Sequence, residues 1–332
     1  MPLLQLPAEL LILILNHVGP EFFAQDPRRL AVCKQWHDLA WPVLVRDLRL
    51  TTTALTRFTA HPALAARSER HITTTTLHFQ NTPRYPAAKD PAFRRAIPPN
   101  RRWSAQLTTA LITLSASLSR ARALHTLTLT AHALDTAGWH LPAPALATLL
   151  SSVSSAAHHL TSLTIDTASC PLQQHPDTHL CAAVNALLPT LRHLRFRAET
   201  VCPALLAGDT PLPQLKTVLV NLSLAYLADD YLSYRHAKGC GGVYGRSIVR
   251  VRAAMEEAAV ALVGAMGEDK GMVRIISHRV PALDVFAFDA VVERRVQLWS
   301  LEKGWDAEGD PEVEEEDVEE DLAEIYESDL DH

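Results

Sequence analysis

Residues Gly239-Cys240-Gly241-Gly242-Val243-Tyr244-Gly245-Arg246-Ser247 stand immediately before an apolar helical stretch. A glycine-rich turn entering a helix can cradle phosphate, because backbone N–H groups and the helix dipole converge there. Here the Gly-Lys-Ser/Thr ending is absent, Gly-x-Gly-x-x-Gly fails on spacing, and no clear strand leads in, so a flexible loop is expected. Cys170, His175, His179 and Cys181 are potential zinc ligands. Their spacing, Cys-x4-His-x3-His-x-Cys, lacks the tight paired knuckles of common zinc sites. Cys181 is expected to face a core beside Val184 and Leu188, and no metal or other cofactor is expected. His125, His158, His159 and His193 sit beside candidate strand starts. No Gly-x-Ser-x-Gly accompanies them, nor paired carboxylates in a recognisable frame, so surface or half-buried imidazoles of a binding face are expected.

The elements that would position these residues follow a repeating pattern. Hydrophobic-x-x-hydrophobic-x-hydrophobic occurs as Leu124-x-x-Leu127-x-Leu129, Leu160-x-x-Leu163-x-Ile165, Leu191-x-x-Leu194-x-Phe196 and Leu215-x-x-Val218-x-Val220, with a weaker copy ending in Leu77-x-Phe79. The middle positions of the four strong copies are 36, 31 and 24 residues apart. Each tip alternates like a half-buried strand. Ala105–Leu118, Ala143–Ala157 and His179–Leu188 carry helical spacing between tips, which predicts α/β architecture built from βα units set side by side. The threonines at 73–76, 126, 128 and 130 favour strands as well. A helix is expected over Ser247–Met266, with further strands at Val273–Ile276 and Val285–Phe288.

Composition narrows the class. The chain has 332 residues, 48% of them hydrophobic, enough for one large domain or two smaller ones. Five cysteines, an odd number, argue for reduced thiols rather than a disulfide framework. Met1–Gln5 has no basic leader character, and Leu10–Leu15 is too short to span a bilayer, so a cytoplasmic or nuclear protein with no membrane partner is expected. Residues 306–331 hold fifteen of the 37 acids and no Lys or Arg, leaving 22 acids against 31 bases in the rest. Such a run repels itself, and 306–332 is expected to be a disordered acidic tail dispensable for folding. Basic residues cluster only locally, at Arg94-Arg95, Arg101-Arg102 and Arg246/Arg250/Arg252, and no nucleic-acid partner is expected.

The first fifty residues are the most specific. Leu6-Pro7-Ala8-Glu9-Leu10 opens a Leu/Ile stripe through Leu15, and Asp26-Pro27 leads into Leu30, Val32-Cys33-Lys34-Gln35-Trp36. Pro7 and Glu9 suit a first helical turn. Leu10, Leu11, Leu13, Ile14 and Leu15 make the helix apolar nearly all round, more than about forty residues can bury alone. This stretch resembles the F-box, a three-helix module that opens with Leu-Pro-x-Glu-hydrophobic and closes on Val-Cys-Lys-x-Trp. The pattern beyond it resembles a leucine-rich repeat solenoid. It departs from that family because the Asn or Cys after each strand is mostly absent: Asp166, Ala198 and Leu222 stand near that position, with Asn221 and Cys202 displaced. A single α/β domain with a mixed sheet is the alternative.

Together these resemblances imply an F-box at 1–48, an irregular leucine-rich-repeat-like substrate-binding domain at 49–305 with insertions at 82–100 and 225–247, and the tail. An F-box protein docks on a Skp-type adaptor, and through it on a cullin–RING ubiquitin ligase, while its second domain holds a protein substrate. Leu6, Pro7, Leu10, Ile14, Leu15, Leu30, Val32, Cys33 and Trp36 match the motif, and the resemblance gives them the adaptor contact or the packing beneath it. Substrate contacts are expected on the strand side or its flanking loops, from Arg84, Tyr85, Arg94 and Arg95 first, and from Tyr231, Tyr234 and Arg235 second. Arg and Tyr are enriched where binding energy concentrates. The alternatives are an F-box scaffold outside the ligase, or a nucleotide-dependent enzyme using Gly239–Ser247.

Overall fold

In the computed structural model the described residues are 6–81, 101–133, 140–156, 159–167, 170, 172–173, 179–208, 210–224, 236–240, 248–268, 270–278, 285–298, 305–307 and 310–311. The N-terminal helices begin with α1, Ala8–Val18, whose first free N–H groups at Leu10 and Leu11 both donate to the Pro7 carbonyl at 3.1 Å. Gly19 closes it at φ 82°, a conformation that favours glycine, and its N–H donates to the Leu15 carbonyl. α2, Pro20–Gln25, follows at once. The helix expected to start at Asp26-Pro27 begins later. The Asp26 carboxylate accepts from the Arg28 N–H at 3.0 Å and starts only one 3-10 turn, Pro27–Leu30. α3 is Lys34–Arg46, capped by the Cys33 thiol. Leu15, Phe23, Leu30, Ala40 and Val43 form a small core of their own, with Trp36, Leu39, Trp41 and Leu44 packed against it.

α3 runs directly into β1, Asp47–Thr51, the edge of a ten-stranded mixed sheet. Its parallel part continues with β2 (Thr74–Asn81), β3 (Thr126–Ala133), β5 (Ser162–Asp166), β7 (His193–Arg197), β9 (Thr217–Asn221) and β11 (Met272–His278). Two-residue strands β4 (Leu141–Pro142) and β6 (Leu172–Gln173) pair with each other, as do β8 (Thr200–Val201) and β10 (Lys238–Gly239). Parallel neighbours need crossovers. The longer ones are α4 (Thr52–Thr59) with α5 (Pro62–Ser68), α6 (Arg101–Leu118), α7 (Ala143–Ala156), α8 (Leu180–Asn185) and α9 (Ile248–Ala265). Between β7 and β9 the only helical turn among the described residues is the 3-10 segment Pro203–Leu205.

One core joins these helices to one face of the sheet. Leu107, Leu111, Leu114 and Leu118 on α6, Leu146, Leu150 and Val153 on α7, and Val251, Met255 and Leu262 on α9 meet alternate strand residues. Those residues are register-matched: Leu127, Leu163, Leu194, Val218 and Val273 form one row, and Leu129, Ile165, Phe196, Val220 and Ile275 the next. The weak copy at Leu77 is displaced by two residues, since Leu77 pairs with Leu129 and Thr75 lies opposite Leu127. Ahead of the strands, a ladder of N–H to carbonyl bonds links Thr73 to Arg46, His125 to Thr73, Thr161 to His125, Arg192 to Thr161, Lys216 to Arg192 and Met272 to Lys216, at 2.7–3.0 Å.

The sheet then turns antiparallel, with β12 (Val285–Asp289), β13 (Arg294–Leu298) and β14 (Asp310–Pro311). This corrects the expected boundary at 305/306. Asp310 and Pro311 pair with Gln297 and Val296, and the Ala307 carbonyl accepts from Arg274, so the fold extends into the segment assigned to the tail. Residues 312–332 lie outside the described residues. The expected insertion at 225–247 also contributes to the fold at 236–239, because β10 pairs with β8 and Ser223 bridges to His236. Among the described residues no helix is long and apolar enough to cross a membrane.

Candidate functional site

Two surfaces gather residues suited to binding, and the first is on α1. A short helix can bury only one stripe against a small core, and here Leu11 and Leu15 take it, both at 0% exposure. Leu10, Leu13 and Ile14 are left outside at 46%, 64% and 36% exposure, with Val18 continuing the stripe. Positions 10, 13, 14 and 18 share one helix face. Ile12 is also exposed but lines a different groove, with Asn16, Leu39, Arg46 and Arg70. Of the nine residues singled out in the sequence, Pro7, Leu10, Ile14, Val32 and Cys33 are exposed, Leu6 and Trp36 are half-buried, and Leu15 and Leu30 are core. Trp36 is fixed by its indole N–H, which donates to the Arg29 carbonyl at 2.7 Å. The motif reading missed Leu13, the most exposed apolar residue of α1, and Phe22, whose ring the Arg29 guanidinium covers at 4.1 Å. Both were visible as apolar residues in excess of what one short helix can bury.

The second surface is the sheet face turned away from the helices. Alternate strand residues project there in register. One row is Arg49, Thr76, Thr128, Thr164, Arg195, Leu219 and Arg274, and the next begins Thr51, His78, Thr130, Asp166, Arg197. The imidazole Nδ1 of His78 lies 2.7 Å from the Thr130 hydroxyl. Arg197 grips Asp166 through two bonds, Nε to Oδ1 at 2.8 Å and Nη2 to Oδ2 at 2.7 Å, the fork geometry of a strong carboxylate pair. At the β9 end the face becomes apolar and is covered. Leu219, Ile276, Val285, Ala287, Val296 and Leu298 surround a fully buried Trp305. The Arg195 guanidinium stacks on that indole at 4.0 Å, with Arg197 at 5.1 Å. Burial lowers the Arg195 pKa, opposed by Asp166 and Asp306. Sequence reasoning placed recognition on the strand side but named none of these residues. The signal was the x position of each Leu-x-Leu tip.

Arg84, Tyr85, Arg94, Arg95, Tyr231, Tyr234 and Arg235 lie outside the described residues, as do 241–247 of the glycine-rich loop. The loop's first residue, Gly239, is a strand residue opposite Val201. Of the histidines at strand starts, His125 Nδ1 lies 3.0 Å from the His159 carbonyl, and His193 is exposed at the head of β7. His158 is outside the described residues. Of the four sequence-adjacent ligand candidates, His175 is outside too. Cys170 is buried, and burial pushes its thiol up to about 11. His179 and Cys181 instead meet Cys202 and Cys240. Comparison with known proteins found no matching family model and no similar curated protein.

Proposed function

We propose that the chain is a non-catalytic substrate-recognition subunit of a Skp–cullin–F-box ubiquitin ligase. On this reading residues 1–48 are the F-box and dock on a Skp-type adaptor, and the sheet is a degenerate leucine-rich-repeat-like array that presents a target protein. The observation that carries it is the exposed stripe Leu10, Leu13, Ile14 and Val18, on a helix whose inner positions are already packed. A solvent-facing apolar stripe rimmed by polar residues marks a partner site, and it falls within the stretch that resembles the F-box. The register-matched tips and the bond ladder from Arg46 to Met272 support the repeat reading. In that arrangement the threonine-rich open face from β2 to β7, ending at Arg197 and Arg195, is the surface offered to a target. The protein's contribution to ubiquitin transfer is then proximity, holding a target near an enzyme bound elsewhere in the assembly.

The test is co-purification of a Skp-type adaptor with the full chain, wild type against Leu10→Asp/Leu13→Asp. Both side chains are exposed, so the variant should fold and melt like wild type. Adaptor capture should fall at least tenfold, the scale of losing a central interface anchor. Full capture by the folded variant would refute this docking surface.

A further inference from the structure

We propose that His179, Cys181, Cys202 and Cys240 bind one zinc ion. Their ligand atoms, one imidazole nitrogen and three thiol sulfurs, all lie within 4.8 Å of one another. Cys181 Sγ is 3.8 Å from Cys240 Sγ, and Cys202 Sγ is 3.7 Å from His179 Nδ1. Tetrahedral zinc has bonds of about 2.3 Å to sulfur and about 2.0–2.1 Å to nitrogen, so its ligands stand about 3.8 Å apart for two sulfurs and about 3.6 Å for sulfur and nitrogen. The observed spacings match that geometry. They do not match a disulfide, whose sulfurs are about 2.0 Å apart.

The fold brings the four together by backbone means. His179 and Cys181 flank the start of α8, with His179 at the N-cap. Cys202 follows β8 and Cys240 follows β10, and these strands run parallel with Val201 opposite Gly239, so the next residue of each strand falls side by side. Cys181 and Cys202 are buried, while Cys240 and His179 are half-buried. The site is therefore shielded yet reachable by an ion. A closed set of four protein ligands with sulfur in the majority is the structural type of zinc site, and soft thiolates select zinc over hard cations. The ion would pin the stretch ending at Cys240 onto α8 and the turn after β8.

The experiment uses the full chain expressed with zinc supplementation. Metal analysis of folded protein should give one zinc per chain. Exchange for cobalt should give thiolate-to-cobalt charge-transfer absorption and the intense visible bands of a tetrahedral ion. Cys202→Ser/Cys240→Ser should lose the metal and the spectrum, while Cys33→Ser and Cys170→Ser should keep both. Folded wild-type protein without zinc and without a cobalt–thiolate spectrum would overturn the proposal, whether its thiols are free or joined in a disulfide. So would full zinc retention by the double variant. If the double variant does not fold, the wild-type cobalt spectrum decides alone.

Discussion

Trp305 should be one of the most costly single truncations in the chain. Its side chain is at 0% exposure, enclosed by Leu219, Ile276, Val285, Val296 and Leu298, and stacked under Arg195. A buried tryptophan removes about 150–250 Å² from water, worth roughly 4–6 kcal/mol at about 25 cal/mol per Å². Measured Trp→Ala losses in cores run about 3–5 kcal/mol, because the site relaxes in part. Trp305→Ala should reach the upper half of that range, since it also removes the cation–π contact, worth about 0.5–2 kcal/mol. The backbone anchor survives the change: Arg274, in an ion pair with Asp289 at 3.2 Å, donates to the Trp305 and Ala307 carbonyls. The variant should therefore fold and melt at lower temperature, by about 8–15 °C at roughly 2–3 °C per kcal/mol. Circular-dichroism melting measures this, and hydrogen exchange should show lost protection concentrated in β11–β13. Trp305→Phe should recover more than half of the loss. A Trp305→Ala melting point within about 1 °C of wild type would refute the inference that this indole closes the apolar end of the open face.

Three further outcomes follow from the coordinates. His236 and His278 stack at 3.8 Å; burial, with His278 and Arg252 nearby, holds His236 down to about 3, and burial alone holds His278 down to about 4. The unfolded chain takes up protons below about pH 6.5 while the folded one does not, so stability should fall from about pH 6.5 toward pH 4. The loss should be about 1.4 kcal/mol for each histidine at pH 5.5, and denaturant titrations in which His236→Gln/His278→Gln keeps the full slope would contradict this. At Gly271 a Cβ would run into the Lys216 carbonyl, which already accepts from Met272, so Gly271→Ala should cost about 1–3 kcal/mol in denaturant unfolding. On α1, Leu15→Ala should cost about 2–5 kcal/mol and Leu13→Ala less than about 0.5, and similar losses at both would contradict the assignment of inner and outer faces.

Strands were legible where their residues alternate and both flanks carry helical spacing, as at Leu127-x-Leu129 and Leu163-x-Ile165. β1 was hidden because it continues α3 without a turn residue, and its Leu48 and Leu50 look like one more stretch of helix. β13, Arg294–Leu298, was missed because its two apolar residues, Val296 and Leu298, serve the second core, and nothing local announces a second core. The two-residue displacement at Leu77 follows from the same limit. A period-2 pattern fixes which face a residue takes but is unchanged by a shift of two. The thiol–imidazole cluster shows the limit most clearly. Cys181 finds Cys240 at a separation of 59 positions, through strand pairs only two residues long. Sequence spacing ranks ligands by closeness along the chain, and it paired Cys181 with Cys170 and His175 instead.

Covering helices on one side leave the other side of a parallel sheet with a choice, and residue type in a single row sets it. Across Thr76, Thr128, Thr164, Arg195, Leu219 and Arg274 the face passes from hydroxyls to a guanidinium to an aliphatic side chain within consecutive strands. A threonine projecting from a strand can face water or a partner at little cost, whereas Leu219 and Ile276, which share one apolar cluster on neighbouring strands, cannot. The chain therefore folds its own Trp305 over the apolar end. Arg195 lies at the border, stacked on the indole, and beside it Arg197 is held to Asp166 on the polar side. A target laid on the open face would meet a row of hydroxyls and end against two ordered guanidinium groups. That surface suits a polar segment rather than a greasy one.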